Sequence, residues 1–387
     1  MSCALRMTGA RDRKDCSGCC ACAAACPHKA ITMRPDSMGF LYPDVDMSLC
    51  EECGICDKTC AHKPVSGNGE QRSYAIRFPA LVDGSQSGGL AYALMSKAVS
   101  AGYIVYGASM DESFKVRHTR AENIGDIEGM RLSKYVQSSM EGVPEMVLKD
   151  LRDGRKVLFT GTPCQCAGVA SLCARYRDRL LLADILCHGV PAPRVWEDFL
   201  DMSRKQKGKE MKRVLFRDPA LGWRSEHTLL EFDGGETIHT DRYYFIFLKN
   251  LVNRPSCGTC PFAGTARPSD VTMGDCWGLE KVAPDFVKDR SGYSLMLVNT
   301  PAGADFAADF PFEPEIMPVE LESVMQESLS APAARSPHSD EAEAIFAREG
   351  FPGINARFGV DSPRERAKRL LHRLNPTNTK LYRRIAK

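Results

Sequence analysis

The chain has 387 residues, 43% of them hydrophobic and 26% charged, the mix of a globular protein rather than a disordered one. Lys and Arg number 51 against 49 Asp and Glu, a formal net charge of +2, so no overall field points to nucleic acid or a membrane surface. No apolar run approaches the roughly 20 residues that span a bilayer, and residues 1–18 hold Arg6, Arg11, Arg13 and Lys14 without the apolar stretch of a secretory signal. A cytoplasmic location is expected.

Seventeen cysteines is the unusual count, and it is odd. Without an export signal that argues against a disulfide framework. Ten lie in the first sixty residues and seven between 164 and 276. Cys16, Cys19, Cys22 and Cys26, followed by Pro27, form C-x2-C-x2-C-x3-C-P; Cys50, Cys53, Cys56 and Cys60 repeat the spacing, with Ala61 in place of the proline. This is the ligand run of two-cluster ferredoxins. A tight loop wraps three thiolates around one face of a cubane, and the fourth comes from the partner repeat. The expected sets are Cys16, Cys19 and Cys22 with Cys60, and Cys50, Cys53 and Cys56 with Cys26, each for one [4Fe–4S] cluster. Zinc is the competing reading, but four-cysteine zinc sites use paired C-x2-C knuckles, not a triple. Cys20 is surplus and reads as a small buried thiol. Between the repeats, residues 30–33 and 39–43 read as two short strands joined by a turn. The first 66 residues are therefore expected to form an α+β ferredoxin-like module.

Residues 63–71 read as a connector. Beyond it strands and helices alternate. Residues 90–101 are an apolar helix after Ser87-Gly88-Gly89, 104–108 a buried strand, and 140–153 a helix. Residues 156–160 form a strand, 164–176 a helix, 180–186 a strand and 194–205 a helix. This alternation predicts a larger α/β domain over residues 72–310 with parallel central strands. A hairpin over 229–232 and 237–239, turning at Asp233-Gly234-Gly235-Glu236, makes an antiparallel addition. Residues 311–387 are expected to be an extension, with a linker at 330–340 and a basic helix from Arg364.

Gly161-Thr162-Pro163-Cys164-Gln165 ends one predicted strand and Cys187-His188-Gly189-Val190-Pro191 the next, where α/β proteins bind ligands. Cys257 and Cys260 add a C-x2-C pair. By spacing alone these four thiols are open to a further metal site, to zinc on the knuckle, or to plain buried cysteine. No Rossmann G-x-G-x-x-G and no P-loop is present.

Gly-Thr-Pro-Cys-Gln at 161–165, Cys-His-Gly-Val-Pro at 187–191 and Ser-Asp-Val-Thr-Met-Gly-Asp-Cys-Trp-Gly at 269–278 together resemble the coenzyme F420 hydrogenase/dehydrogenase beta-subunit family. Ser87-Gly88-Gly89, residues 133–138 and Phe216-Arg217-Asp218 with Gly222-Trp223 match its other landmarks. The resemblance implies an FAD-binding α/β domain that joins iron–sulfur clusters to a two-electron partner. It implies a third [4Fe–4S] cluster on Cys164, Cys187, Cys257 and Cys260. The chain departs from the pattern at Leu132, where the family often has Gly, and at Cys276, where Phe is common.

A flavin has its own chemical logic, because clusters pass single electrons and most organic substrates accept two. Candidate contacts are Ser87, Gly88, Gly89, Lys134, Tyr135, Gln137, Ser138, Thr162, Gln165, Asp270, Gly274 and Asp275. Lys134 and His188 are the candidate catalytic groups. The expected function is an iron–sulfur flavoprotein oxidoreductase with ferredoxin or coenzyme F420 as redox partner. The alternatives are an electron-transfer subunit of a larger complex, or an accessory reductase acting on a small molecule of a glycan pathway.

Overall fold

The computed structural model describes residues 13–63, 70–287 and 292–374. Most of the expected connector and the tail beyond residue 374 lie outside the described residues.

Two short helices, α1 (Ala21–Ala25) and α2 (Ile55–Thr59), flank a hairpin of β1 (Ile31–Pro35) and β2 (Leu41–Val45). The strands pair antiparallel, with Ile31 opposite Val45. Each helix starts from a left-handed residue, Cys20 at φ 63° and Gly54 at φ 73°. These are equivalent positions of the two repeats, directly after Cys19 and Cys53. Glycine takes that conformation freely, whereas Cys20 holds it at a cost of about 1–2 kcal/mol. Its thiol is buried and donates to the Gly18 carbonyl at 3.4 Å.

The rest of the chain builds an eight-stranded mixed sheet. Its order is β13 (Glu315–Pro318), β3 (Arg72–Arg77), β12 (Ser294–Val298), β11 (Val271–Asp275), β7 (Leu180–Ile185), β6 (Val157–Gly161), β4 (Ile104–Met110) and β5 (Val116–Ala121). Strands β11, β7, β6 and β4 run parallel, and the outer pairings are antiparallel. The central strands are buried on both faces, which is why they read as unbroken apolar runs. Tyr106, Phe159 and Leu182 pack with Val143, Val147 and Leu151 of α4 (Val143–Arg152) and Val169 of α5 (Pro163–Leu172). Val105, Leu158 and Leu181 pack on the other face with Leu90 and Leu94 of α3 (Leu90–Ser100). Phe159→Ala would cost about 3–5 kcal/mol.

A second, antiparallel sheet holds β8 (Met211–Leu215), β9 (Thr228–Phe232) and β10 (Thr237–Thr240). With α6 (Pro193–Lys207) and α7 (Arg242–Leu248) it encloses a core of Trp196, Phe199, Phe216 and Tyr243. Met38 and Phe40 of the N-terminal hairpin join this core, as do Phe351 and Ile354 of the helical segment α8 (Ser339–Phe358). The cysteine-rich module is thus seated in the larger domain rather than hung from it. The break expected at residue 311 falls before β13, whose short Glu-Ile-Met-Pro run carries no strand signal yet pairs along β3.

Candidate functional site

The carboxyl ends of β6, β7 and β11 open onto a cavity of about 710 Å³. That is the place where parallel sheets bind ligands, and the volume is in the range of small-molecule sites. Of the expected contacts, Ser87, Gly89, Lys134, Tyr135, Ser138, Thr162, Gln165, His188, Gly274 and Asp275 line it. Gly88, Gln137 and Asp270 do not. Gly88 sits where a Cβ would stand 2.2 Å from the Ile76 carbonyl oxygen, so it serves close backbone packing. Gln137 turns the other way and donates to the Ser17 carbonyl at 2.9 Å. Asp270 is spent within the fold, accepting from Arg177 at 2.7 Å, the Leu182 amide at 2.9 Å and Thr300 at 2.7 Å.

Several wall groups escaped the sequence reading. His118 on β5 is buried, with Nε2 2.9 Å from the Thr160 carbonyl and Nδ1 2.8 Å from Ser138 Oγ. A carbonyl can only accept, so Nε2 carries the proton and Nδ1 accepts from the serine. Burial lowers its pKa to about 4, and its ring stacks on Phe159. Arg217, inside the Phe-Arg-Asp landmark, donates to Asp275 Oδ2 at 2.8 Å and to the Tyr135 hydroxyl at 3.2 Å. Trp223 Nε1 donates to the other oxygen of Asp275 at 2.8 Å, and the Trp223 ring stacks on Trp277. Lys134 donates to the Arg131 and Leu132 carbonyls at 2.6 and 3.3 Å, and lost solvation brings its pKa down to about 7. The nearby Leu132 has φ 66°, the left-handed region where glycine is favoured.

The cavity wall also holds polar atoms with nothing to bond. Both amide atoms of Gln86, Ser87 Oγ and His188 Nε2 are buried without a hydrogen-bond partner. Such atoms cost about 1–3 kcal/mol each if left unmade, so the wall suits a polar organic ligand.

The cysteines gather in three neighbourhoods. Cys19 and Cys22 feel the charges of Cys16 and Cys60. Cys26, Cys50, Cys53 and Cys56 line one concavity. Cys187 and Cys257 feel Cys164 and Cys260. Backbone pairing brings the last set together: the Ala192 amide bonds the Val252 carbonyl and the Arg254 amide the Val190 carbonyl. Cys164 stands in the first turn of α5, its Sγ 3.2 Å from the capping Thr162 hydroxyl. Burial, then neighbouring thiols, push Cys19 and Cys257 up to about 12 and Cys164 to about 11. A metal centre's positive charge is what would release those protons. Among the described residues no three His, Cys, Asp or Glu side chains close on a point that would hold a single metal ion. A cubane spreads its thiolates over four corners and asks for a wider set. Cys56 is disulfide-bonded rather than free, so its ligand role requires the reduced thiol.

Residues 154–313 match the family model that describes the C-terminal part of the beta subunit of coenzyme F420 hydrogenase/dehydrogenase. Over this segment the chain belongs to the coenzyme F420 hydrogenase/dehydrogenase beta-subunit family. The family segment holds Cys164, Cys187, Cys257 and Cys260, Arg217 and the β11 wall; Ser87, Lys134 and the first ten cysteines precede it. The F-type subunit of the F(420)H(2) dehydrogenase of Methanosarcina mazei is 24% identical over 191 residues, 44% of this chain and 53% of that protein. The chain therefore spans about half the length of that relative. A chain of the xenon-derivatised F420-reducing [NiFe] hydrogenase complex from Methanosarcina barkeri has a TM-score of 0.45 and 16% identity, covering 76% of this chain and 91% of that one.

Proposed function

We propose that the chain is an electron-transferring oxidoreductase that carries [4Fe–4S] clusters on its three cysteine sets and FAD in the cavity. It exchanges electrons with a one-electron carrier such as ferredoxin and a two-electron partner such as coenzyme F420. One observation carries the reading: Cys187 belongs to the third thiol set and also lines the cavity, so the two sites share a wall. The partnerless atoms of Gln86, Ser87 and His188 fit the cavity to a polar cofactor.

A bound flavin would supply the conversion between one-electron and two-electron transfer. The chain's own groups have separable tasks. Ser87 and Gly89, before α3, offer amides and a helix amino end to a pyrophosphate. Lys134 adds a charge at the wall that its burial leaves easily lost. The Arg217–Asp275 pair fixes the floor, and Trp277 offers a flat face. His188 and Cys187 form the wall between the organic site and the third thiol set.

A second reading, an electron-transfer subunit within a larger complex, is favoured by the family segment and by a relative whose own name is that of a subunit. Among the described residues no helix is long and apolar enough to cross a membrane.

Anaerobic purification tests the proposal. Acid release should yield FAD, and iron should reach about twelve per chain if the three four-cysteine sets each hold four irons. Reduced coenzyme F420 and reduced ferredoxin should each bleach the chromophore. An iron-replete protein with no acid-released flavin would overturn the flavin part. A stable stoichiometry near eight, unchanged in Cys257→Ala, would remove the third cluster.

A further inference from the structure

Arg254 is 1% exposed, and among the described residues no carboxylate pairs with it. A buried guanidinium without a counter-charge is costly, by several kcal/mol in general. Its fork is instead spread over the seam between the two parts of the molecule. Nε donates to the Cys16 carbonyl at 2.7 Å, and one Nη to the Gln137 side-chain oxygen at 3.0 Å. The other Nη donates to the Leu41 carbonyl at 2.7 Å and to Cys16 Sγ at 3.6 Å. Its plane lies over the Tyr42 ring, 4.3 Å from the centroid. Gly18 is pressed against it: a Cβ there would stand 2.8 Å from Nη1. The same charge reaches Cys164 and Cys257 and draws both thiols toward the thiolate. Carbonyls satisfy its hydrogens but not its charge. What faces it on two sides is cysteine sulfur.

We infer that Arg254 is a positioning residue for electron transfer: its guanidinium supplies the counter-charge of the Cys16/Cys19/Cys22/Cys60 cluster, raises that cluster's reduction potential, and ties it to the thiol set of the α/β domain. The inference rests on the proposed function, since it needs the clusters. Reduction adds one electron and one negative charge to the set, with no bond made or broken and no proton moved. A fixed positive charge beside Cys16 Sγ therefore favours the reduced state, and hydrogen bonds to cluster sulfurs are a known lever on potential.

The test is an EPR-monitored potential titration of the anaerobically purified full chain, with dithionite as the electron source. Arg254→Gln removes the charge and keeps a donor. One cluster signal should become about tenfold harder to reduce, about 59 mV lower for one electron. Arg254→Lys keeps the charge and should stay close to wild type in potential. Gln137→Glu leaves the arginine in place and sets a carboxylate on it, so it should lower the same signal. Gln137→Glu decides the matter if Arg254→Gln does not fold. Iron-replete variants whose potentials do not move would overturn the inference and leave the proposed function standing. A wild-type protein that binds no iron would overturn both.

Discussion

Cys19 lies with its sulfur over Gly168 of α5: a Cβ built on that glycine would stand 2.7 Å from Cys19 Sγ and 2.9 Å from Cys19 Cβ. The N-terminal module thus rests directly on the helix whose first turn holds Cys164. Gly168→Ala should force the two parts to separate by a few tenths of an ångström. Overpacking of this kind costs about 1–3 kcal/mol. A lower thermal midpoint and reduced iron content, with the acid-released chromophore retained, are the expected results. A variant as stable and as iron-rich as wild type would show that the seam has slack at this point.

His118 gives a pH signature. Its pKa falls from 6.5 to about 4 because burial disfavours the imidazolium. Between those values the unfolded chain binds the proton and the folded one does not, so stability is lost as pH falls from 6.5 toward 4. His118→Phe should flatten that part of the stability profile. It would also leave Ser138 Oγ and the Thr160 carbonyl without their partner, at about 1–3 kcal/mol. Urea titrations of both proteins at pH 7 and pH 5 separate the two effects.

Lys134 behaves alike at the alkaline end. Its folded pKa, near 7 against an ordinary 10.5, means that the folded protein sheds a proton the unfolded one keeps. Stability should therefore rise from about pH 7 to 10 by a component that Lys134→Met removes. An anion placed against Lys134 restores its charge. Binding of the chromophore above pH 7 should then take up a proton in wild type and none in Lys134→Met, as calorimetry in two buffers of different ionisation heat would register.

Arg217→Ala should be the most damaging change in the cavity wall. The side chain is 3% exposed and joins Asp275, Tyr135 and the Ser225 carbonyl. Its loss strands a carboxylate at the cavity floor, at about 3–5 kcal/mol. Loss of the chromophore with iron retained is expected. Arg217→Lys should recover stability in part, since it keeps the charge and loses the fork.

Cys20→Gly tests the surplus cysteine. The residue sits at φ 63° where the second repeat has Gly54. Iron content should be unchanged, whereas Cys19→Ala and Cys22→Ala should each lose iron.

The parallel centre of the sheet was legible because Ile104, Val105 and Tyr106, or Leu180, Leu181 and Leu182, are buried on both sides and read as continuous apolar runs. The flanking strands were not. Val116–Ala121 reads Val-Arg-His-Thr-Arg-Ala, with polar side chains on the exposed positions, and hides His118 as an ordinary edge residue. Gln137 shows the other difficulty. It stands between Val136 and Ser138, which both line the cavity, and its own side chain crosses to the opposite side to meet Ser17. Arg254 is written as one arginine before Pro255. Its partners Cys16, Leu41 and Gln137 come from distant parts of the chain, so no local pattern announces it.

Seating Met38 and Phe40 among Trp196, Phe199 and Phe351 also sets an order of assembly. The hairpin leaves the ribosome long before its partners are made, and contacts of such sequence separation form late. Through that interval the first eight ligand cysteines are reachable by whatever delivers iron and sulfide. Once α6 and α8 have folded, the seam at Gly168 and Arg254 closes over Cys19. Loading of the N-terminal sets is then an event of synthesis, and iron lost from the mature protein is regained only by opening a core.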